Sequence, residues 1–185
     1  MIPPPFQTIE HASSAPIAVD DKGTFLRLLK EHAGIIRKVA ATYSSSLADR
    51  HDLMQEIMLH LWKSYPRYSP DRPFSTWMYR VALNVAISFL RRNTHPMRQT
   101  VPLEEHAVEP ADESAQPGEA DERVALLQEV IASLPALDRA LLLLYLDEHS
   151  YREIATILGI TETNVATKLN RLKQRVREEM LRLTR

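Results

Sequence analysis

The chain of 185 residues has no cysteine and only four glycines. Without cysteine there is no disulfide and no thiolate metal or redox centre. The seven histidines never fall as H-x-H or H-x-x-x-H, so a histidine metal cluster has no local support. No stretch alternates apolar with polar residues, and this, with the scarce glycine, argues against sheet. No apolar run reaches the roughly 18 residues of a membrane-spanning helix. The opening "MIPPPFQTIEHASSAPIAVDDKG" places no basic cluster ahead of an apolar stretch. No secretory signal is therefore expected, and the cytoplasm is the expected compartment. Gly-rich phosphate loops, paired catalytic carboxylates and nucleophile arrangements are missing too. The sequence predicts neither an enzyme nor a metal or cofactor.

What the chain does have is segregated charge. Its net charge is only -1. Residues 99–122 hold eight acids (Glu104, Glu105, Glu109, Asp112, Glu113, Glu119, Asp121, Glu122) and no Lys or Arg, so the rest of the chain carries +7. Two basic bodies flanking an acidic strap suit a polyanionic partner. The strap also contains Pro102, Pro110, Pro117 and Gly118 and almost no large apolar residue. It is expected to be a flexible linker over 99–119 between two domains, at 21–98 and 120–185. Residues 1–20, rich in Pro, Ser and Ala, are expected to form a disordered leader.

Apolar residues make up 44% of the chain, enough for a core on each side of the strap. Phe25, Leu28, Leu29, Ile35, Ile36, Val39 and Tyr43 recur at helical spacing. A further helix is expected from Asp49, as its cap, through Leu53, Ile57, Leu61 and Trp62. "SYPRYSPDRP" breaks the pattern with three prolines. Pro73 suits the first turn of the next helix, which would bury some of Phe74, Trp77, Val81, Val85 and Phe89. Beyond the strap, "DERVALLQEVIASL" and "PALDRALLLLYLDEHS" read as amphipathic helices. Ser150 and Glu153 form a capping box for another, and Thr161 can cap the last. The predicted fold class is all-α.

The last two helices have the pattern of a helix-turn-helix. Ala155 supplies a small side chain at the crossing, and Gly159 suits a left-handed turn. Ile154, Leu158, Ile160 and Val165 would pack between the helices. Thr163, Asn164, Thr167, Lys168 and Arg171 would face outward, able to reach base edges and phosphates in a major groove. Lys173 and Arg175 add positive charge. An ordinary helical hairpin with a solvated basic face accounts for the same pattern.

The neighbouring residues carry a wider resemblance. "LPALDRALLLLYLDEHSYREIATILGITETNVATKLNRLKQRV" resembles region 4 of bacterial sigma factors. "DLMQEIMLHLWKSYPRY" followed by "FSTWMYRVALNVAISFLRR" resembles region 2. With a short acidic link between them, the two resemble the extracytoplasmic-function (ECF) group of the sigma-70 family of RNA polymerase sigma factors, over residues 22–98 and 120–182.

The resemblance implies a protein that binds core RNA polymerase and promoter DNA and is held in check by an anti-sigma factor. The polymerase-facing D-L-x-Q-E signature would be Asp52, Leu53, Gln55 and Glu56; a Gln and carboxylates suit arginine-rich helices. The -10 non-template strand would meet Tyr65, Arg67, Arg72, Trp77, Arg80, Asn84, Arg91 and Arg92, since aromatic faces stack on bases and arginines follow phosphates. Arg98 adds to that charge, and the loop from Tyr65 to Arg72 would form part of a pocket for a flipped base. The -35 duplex would be read by Thr163, Asn164, Thr167, Lys168, Arg171 and Lys173. This chain departs from the family pattern at Leu83, where Arg is common, and at Ser88, where Asp is. "NVATKL" stands where T-V-K-S-R-L is usual, and a lysine there lacks arginine's bidentate fork. Two other functions fit the residues: a helix-turn-helix regulator working without polymerase, and a helical interaction protein with no DNA role.

Overall fold

The computed structural model describes residues 19–93 and 119–183, which form helices and turns with no strand among them. The expected leader lies outside these residues apart from Val19 and Asp20. The expected linker lies outside them apart from Glu119. Val19, Asp20 and Glu119 are helical: α1 covers Val19–Glu31 and α5 covers Glu119–Ser133.

The single helix expected through Tyr43 is two helices, α1 and α2 (Ala33–Tyr43). His32 sits between them at φ -109°, ψ 15°. There the Ile35 amide donates to the His32 carbonyl at 3.0 Å, three residues back rather than four. No side chain caps α2, and Gly34 follows at once, a poor helix former. Helix α3 spans Leu47–Ser64. Its cap is Ser46, not Asp49: the Ser46 hydroxyl accepts from the Asp49 amide at 3.0 Å, and Asp49 lies in the first turn. Only the earlier residue has the extended backbone a cap requires. Leu53, Ile57 and Leu61 line the buried side of α3.

After a 3-10 turn at Tyr65–Arg67 comes α4, Phe74–Asn93. The Trp77 amide donates to the Pro73 carbonyl at 3.3 Å, which sets the start of the helix. Phe74, Val85 and Phe89 are buried, while Trp77 and Val81 are half-buried. Met78, Tyr79, Ala82, Leu83 and Ala86 are buried as well. A helix buried over more than one stripe has neighbours on more than one side. Helices α2 and α3 cover one side of α4; α6 (Ala136–Leu146) and α7 (Tyr151–Leu158) cover another. The apolar core therefore runs without a break from α1–α4 into α6–α8.

Polar contacts lock this seam. The Tyr43 hydroxyl donates to the Ala136 carbonyl at 2.6 Å. Arg139 donates to the Thr42 carbonyl at 3.5 Å, and its guanidinium lies 6.0 Å from the Tyr43 ring centre. Burial pushes the Tyr43 phenol well above its ordinary pKa.

Helix α7 carries the expected capping box. Ser150 accepts from the Glu153 amide at 3.3 Å, and Glu153 accepts from the Ser150 amide at 2.8 Å. The hydroxyl and backbone hydrogen bonds of Ser150 hold the Glu153 carboxyl below its ordinary pKa. Because the folded pKa is the lower one, the box stabilises fully above the ordinary glutamate range. That contribution is lost as pH falls through the lowered value. Ser150→Ala is expected to cost about 1 kcal/mol in urea unfolding at pH 7, and less in acid.

Candidate nucleic-acid interface

Helices α7 and α8 (Glu162–Leu183) meet across Gly159, at φ 68° and ψ 35°. Side chains reach that left-handed region only at a cost. Ala155 is buried at the crossing, and its carbonyl accepts from the Ile160 amide at 3.1 Å. Thr161 caps α8, its hydroxyl accepting from the Asn164 amide at 3.2 Å. Ile154, Leu158 and Val165 are buried and Ile160 half-buried, so the small core between the two helices exists as predicted.

With Val165, Leu169 and Leu172 turned inward, Thr163, Asn164, Thr167, Lys168 and Arg171 share the other side of α8. At 1.5 Å per residue this face is about 12 Å long. All five are exposed except the half-buried Lys168. The Thr167 hydroxyl donates to the Thr163 carbonyl at 2.9 Å, leaving its oxygen able to accept. Lys168, Arg171 and Arg175 line a shallow cleft with Asp138 and Leu172, a concentration of positive charge with one carboxylate beside it. Lys173 is not part of this face. Its ammonium lies 4.3 Å from the Tyr145 ring centre and 3.3 Å from the Tyr145 hydroxyl. The reason is rotational: two residues advance a helix by about 200°, so Lys173 cannot share a side with Arg171.

A second feature is the group of aromatic rings at the start of α4. Tyr65 and Tyr68 stack with centres 6.0 Å apart. Tyr68 lies 5.2 Å from Trp77, and Trp77 5.2 Å from Phe74. Phe74 is buried as core, while Tyr65, Tyr68 and Trp77 are half-buried and keep part of their surface in solvent. Tyr68, which sequence reasoning did not single out, anchors the loop by donating to the Arg72 carbonyl at 2.9 Å. Arg67, Arg72 and Arg80 are exposed near these rings in sequence, and Asn84 is half-buried one turn beyond Arg80. Arg91 and Arg92, also exposed, are not brought to the rings. From Trp77 to Arg92 the helix rises about 22 Å. The arginines of α4 are therefore spread along the helix, with the aromatic cluster at its start.

The signature on α3 divides in two. Asp52 and Gln55 are exposed and Glu56 is half-buried at the surface. Leu53, by contrast, is wholly buried. It anchors the helix from beneath and has no surface to offer a partner, because the stripe Leu53–Ile57–Leu61 is the side of α3 that faces the core. Sequence reasoning missed Leu59, 50% exposed, which follows Asp52 and Gln55 at helical spacing and adds an apolar element to the same face. Both carboxylate oxygens of Glu56 accept from one Arg92 nitrogen at 2.7 Å. One residue assigned to polymerase thus pairs with one assigned to DNA.

Family models describe the same two halves. Sigma-70 region 2 matches residues 28–95, and sigma-70 region 4 matches residues 125–176. The ECF RNA polymerase sigma factor SigF of Caulobacter vibrioides is 32% identical over 140 residues, covering 75% of this chain and 75% of that one. The chain belongs to the ECF sigma factors. Another member of this family, SigE of Mycolicibacterium smegmatis, is 28% identical over 82% of the chain. This chain spans 59% of that relative's length. Among solved structures, the sigma factor RpoE of Bartonella quintana, in complex with the anti-sigma factor NepR, superposes with a TM-score of 0.63 at 21% identity, over 90% of this chain and 99% of that one. That likeness is one of fold. No helix among the described residues is long and apolar enough to cross a membrane, and no group of metal-ligating side chains occurs among them.

Proposed function

We propose that the chain is an alternative sigma factor, which binds core RNA polymerase and directs it to a distinct set of promoters. The observation that carries this reading is the pairing, in one chain, of a helix-turn-helix with a basic outer face and a helix that opens on half-exposed aromatic rings and continues in arginine. The first suits duplex DNA, whose base edges and phosphates it meets in the major groove. The second suits a melted strand, whose bases stack and whose phosphates need cations. Asp52, Gln55 and Glu56 would meet the polymerase. Thr163, Asn164, Thr167, Lys168 and Arg171 would read the -35 element. Tyr65, Trp77, Arg80 and Asn84, together with Tyr68, would hold the -10 strand, while Arg67, Arg72, Arg91 and Arg92 would supply charge along it.

Neither reader needs high affinity by itself. Polymerase fixes the distance between them, and tethering turns the second contact into an intramolecular one. No catalysis is assigned to the chain, since bond formation belongs to the polymerase. An anti-sigma partner, like that of the Bartonella protein, belongs to the same reading. The domain limits proposed are 21–98 and 120–185, with a linker between them.

The test is transcription in vitro with core polymerase, this chain and genomic DNA, followed by mapping of transcript starts. The expected result is a small set of starts that share two sequence elements at fixed spacing. Failure to associate with core polymerase would sink the proposal. Tight, specific binding of promoter duplex by the isolated chain would favour a regulator acting without polymerase.

A further inference from the structure

We propose that Arg92 belongs to the polymerase face of α3 rather than to the DNA strand, and that Glu56 is the residue that positions it there. The inference rests on the sigma-factor reading and changes the place of two residues within it. Two contacts fix the Arg92 guanidinium. On one side its Nη2 nitrogen donates to both carboxylate oxygens of Glu56 at 2.7 Å. On the other its central carbon lies 5.9 Å from the ring centre of Phe89, itself buried in the core. The paired side chains are 53% and 27% exposed, and ion pairs that open to solvent add little to stability. What this pair does set is where the arginine sits.

Rotation about the helix axis takes Arg92 off the line of the other α4 arginines. Arg80 and Arg92 are about 120° apart around the helix, whereas Arg91 falls within about 20° of Arg80. The same geometry puts Glu56 at the margin of the outer face of α3. Glu56 lies about 40° round from Asp52, and Gln55 and Leu59 lie on the other side of Asp52. The buried stripe Leu53–Ile57–Leu61 begins about 60° beyond Glu56. Arg92, tied to Glu56, therefore stands where α4 meets the edge of the face formed by Asp52, Gln55 and Leu59, all three exposed.

The chemistry of that face changes accordingly. Glu56 and Arg92 neutralise each other, which leaves the uncompensated carboxylate to Asp52. A guanidinium carries N–H donors on all three of its nitrogens. With Nη2 engaged by Glu56, the Nε and Nη1 donors of Arg92 have no other partner among the described residues. Each can give a charge-assisted hydrogen bond to an incoming carboxylate. The polymerase surface that fits carries a carboxylate for Arg92 beside the cation that meets Asp52, two opposite charges about one helical turn apart. An arginine already held in place loses less freedom when it binds. Glu56 thus acts through Arg92 and does not itself touch the partner.

Association of the full chain with core polymerase, measured without DNA, is the test. Arg92→Ala is expected to weaken it about tenfold, the size of one lost charged hydrogen bond. The amount of chain needed for half-maximal transcription should rise by the same factor while the plateau holds; a residue on the DNA strand would lower the plateau. Arg92→Lys, whose donors all share one nitrogen, should recover only part of the loss. Glu56→Gln should weaken association by less, and should add nothing in the Arg92→Ala background, the mark of a residue that acts through another. Unfolding midpoints should stay near that of the wild type, because the pair is open to solvent. Additive losses from the two positions would mean that Glu56 meets the polymerase directly, and would overturn its positioning role. Unaltered association of Arg92→Ala would overturn the inference and spare the sigma-factor reading; a lowered plateau beside it would return Arg92 to the strand. A wild-type chain that does not associate with core polymerase would overturn both.

Discussion

Replacing Lys168 and Arg171 together by alanine is expected to lower promoter-directed transcription about a hundredfold, with association to core polymerase unchanged. Each well-placed contact to a base edge is worth about 1–3 kcal/mol, and each 1.4 kcal/mol is about a factor of ten. The two side chains are about one turn apart on α8, Arg171 exposed and Lys168 half-buried beside Leu172. Removing them leaves the buried Val165, Leu169 and Leu172 in place. The effect should therefore appear in DNA-dependent steps and not in the unfolding midpoint. If either residue meets phosphate rather than a base, its loss should also flatten the salt dependence by about one counterion. Lys173→Ala is the internal control. Its ammonium is engaged with Tyr145 on the far side of α8, so promoter strength should change little. Equal losses from Lys173→Ala and Arg171→Ala would mean that the basic charge of α8 acts in bulk, with no reading face.

How much of this was legible beforehand depended on how local the cause was. The capping box of Ser150 and Glu153, the left-handed Gly159 and the small Ala155 were all readable because each obeys a rule spanning a few residues. The stripes of α3 and α8 followed from periodicity for the same reason. Errors arose where two local solutions competed. Ser46 and Asp49 are both capping residues three positions apart, and only backbone geometry chose the first. The break at His32 lies inside an otherwise sound apolar repeat. Leu53 was grouped with its exposed neighbours because a motif runs along the chain, whereas a helix sorts its residues around an axis; Lys173 turns away from Arg171 and toward Tyr145 for the same reason. The seam between the halves left almost no local mark. Tyr79, Leu83 and Ala86 are buried because α6 and α7 come back onto α4 after the acidic segment, and no window of the sequence contains both partners. The one trace was Leu83, apolar where the family often has arginine. It reads as a departure in the sequence and as a buried residue in the fold.

The division within the α3 signature leads to the other large effect. Leu53→Ala is expected to destabilise the first half by about 2–5 kcal/mol, the range for emptying a leucine site in a packed core. Leu53 has no solvent exposure and stacks with Ile57 and Leu61 on the inner side of α3. Against a total of roughly 5–15 kcal/mol for a domain of this kind, the loss should bring the unfolding midpoint down by many degrees and deprive the chain of polymerase binding through unfolding. Asp52→Ala and Gln55→Ala should do the reverse. Both residues are exposed and lie outside the core, so surface substitution should change stability by no more than about 0.5 kcal/mol. Their cost would fall on the association constant for core polymerase. Measured together by thermal unfolding and by binding, the three variants separate a residue that holds the helix from residues that present it. If Asp52→Ala and Gln55→Ala leave association intact in a fully folded chain, the polymerase-facing role moves to the exposed apolar part of the helix. Leu59→Ala, expected to be nearly neutral for stability because half of that side chain is already in water, is then the substitution that should weaken binding.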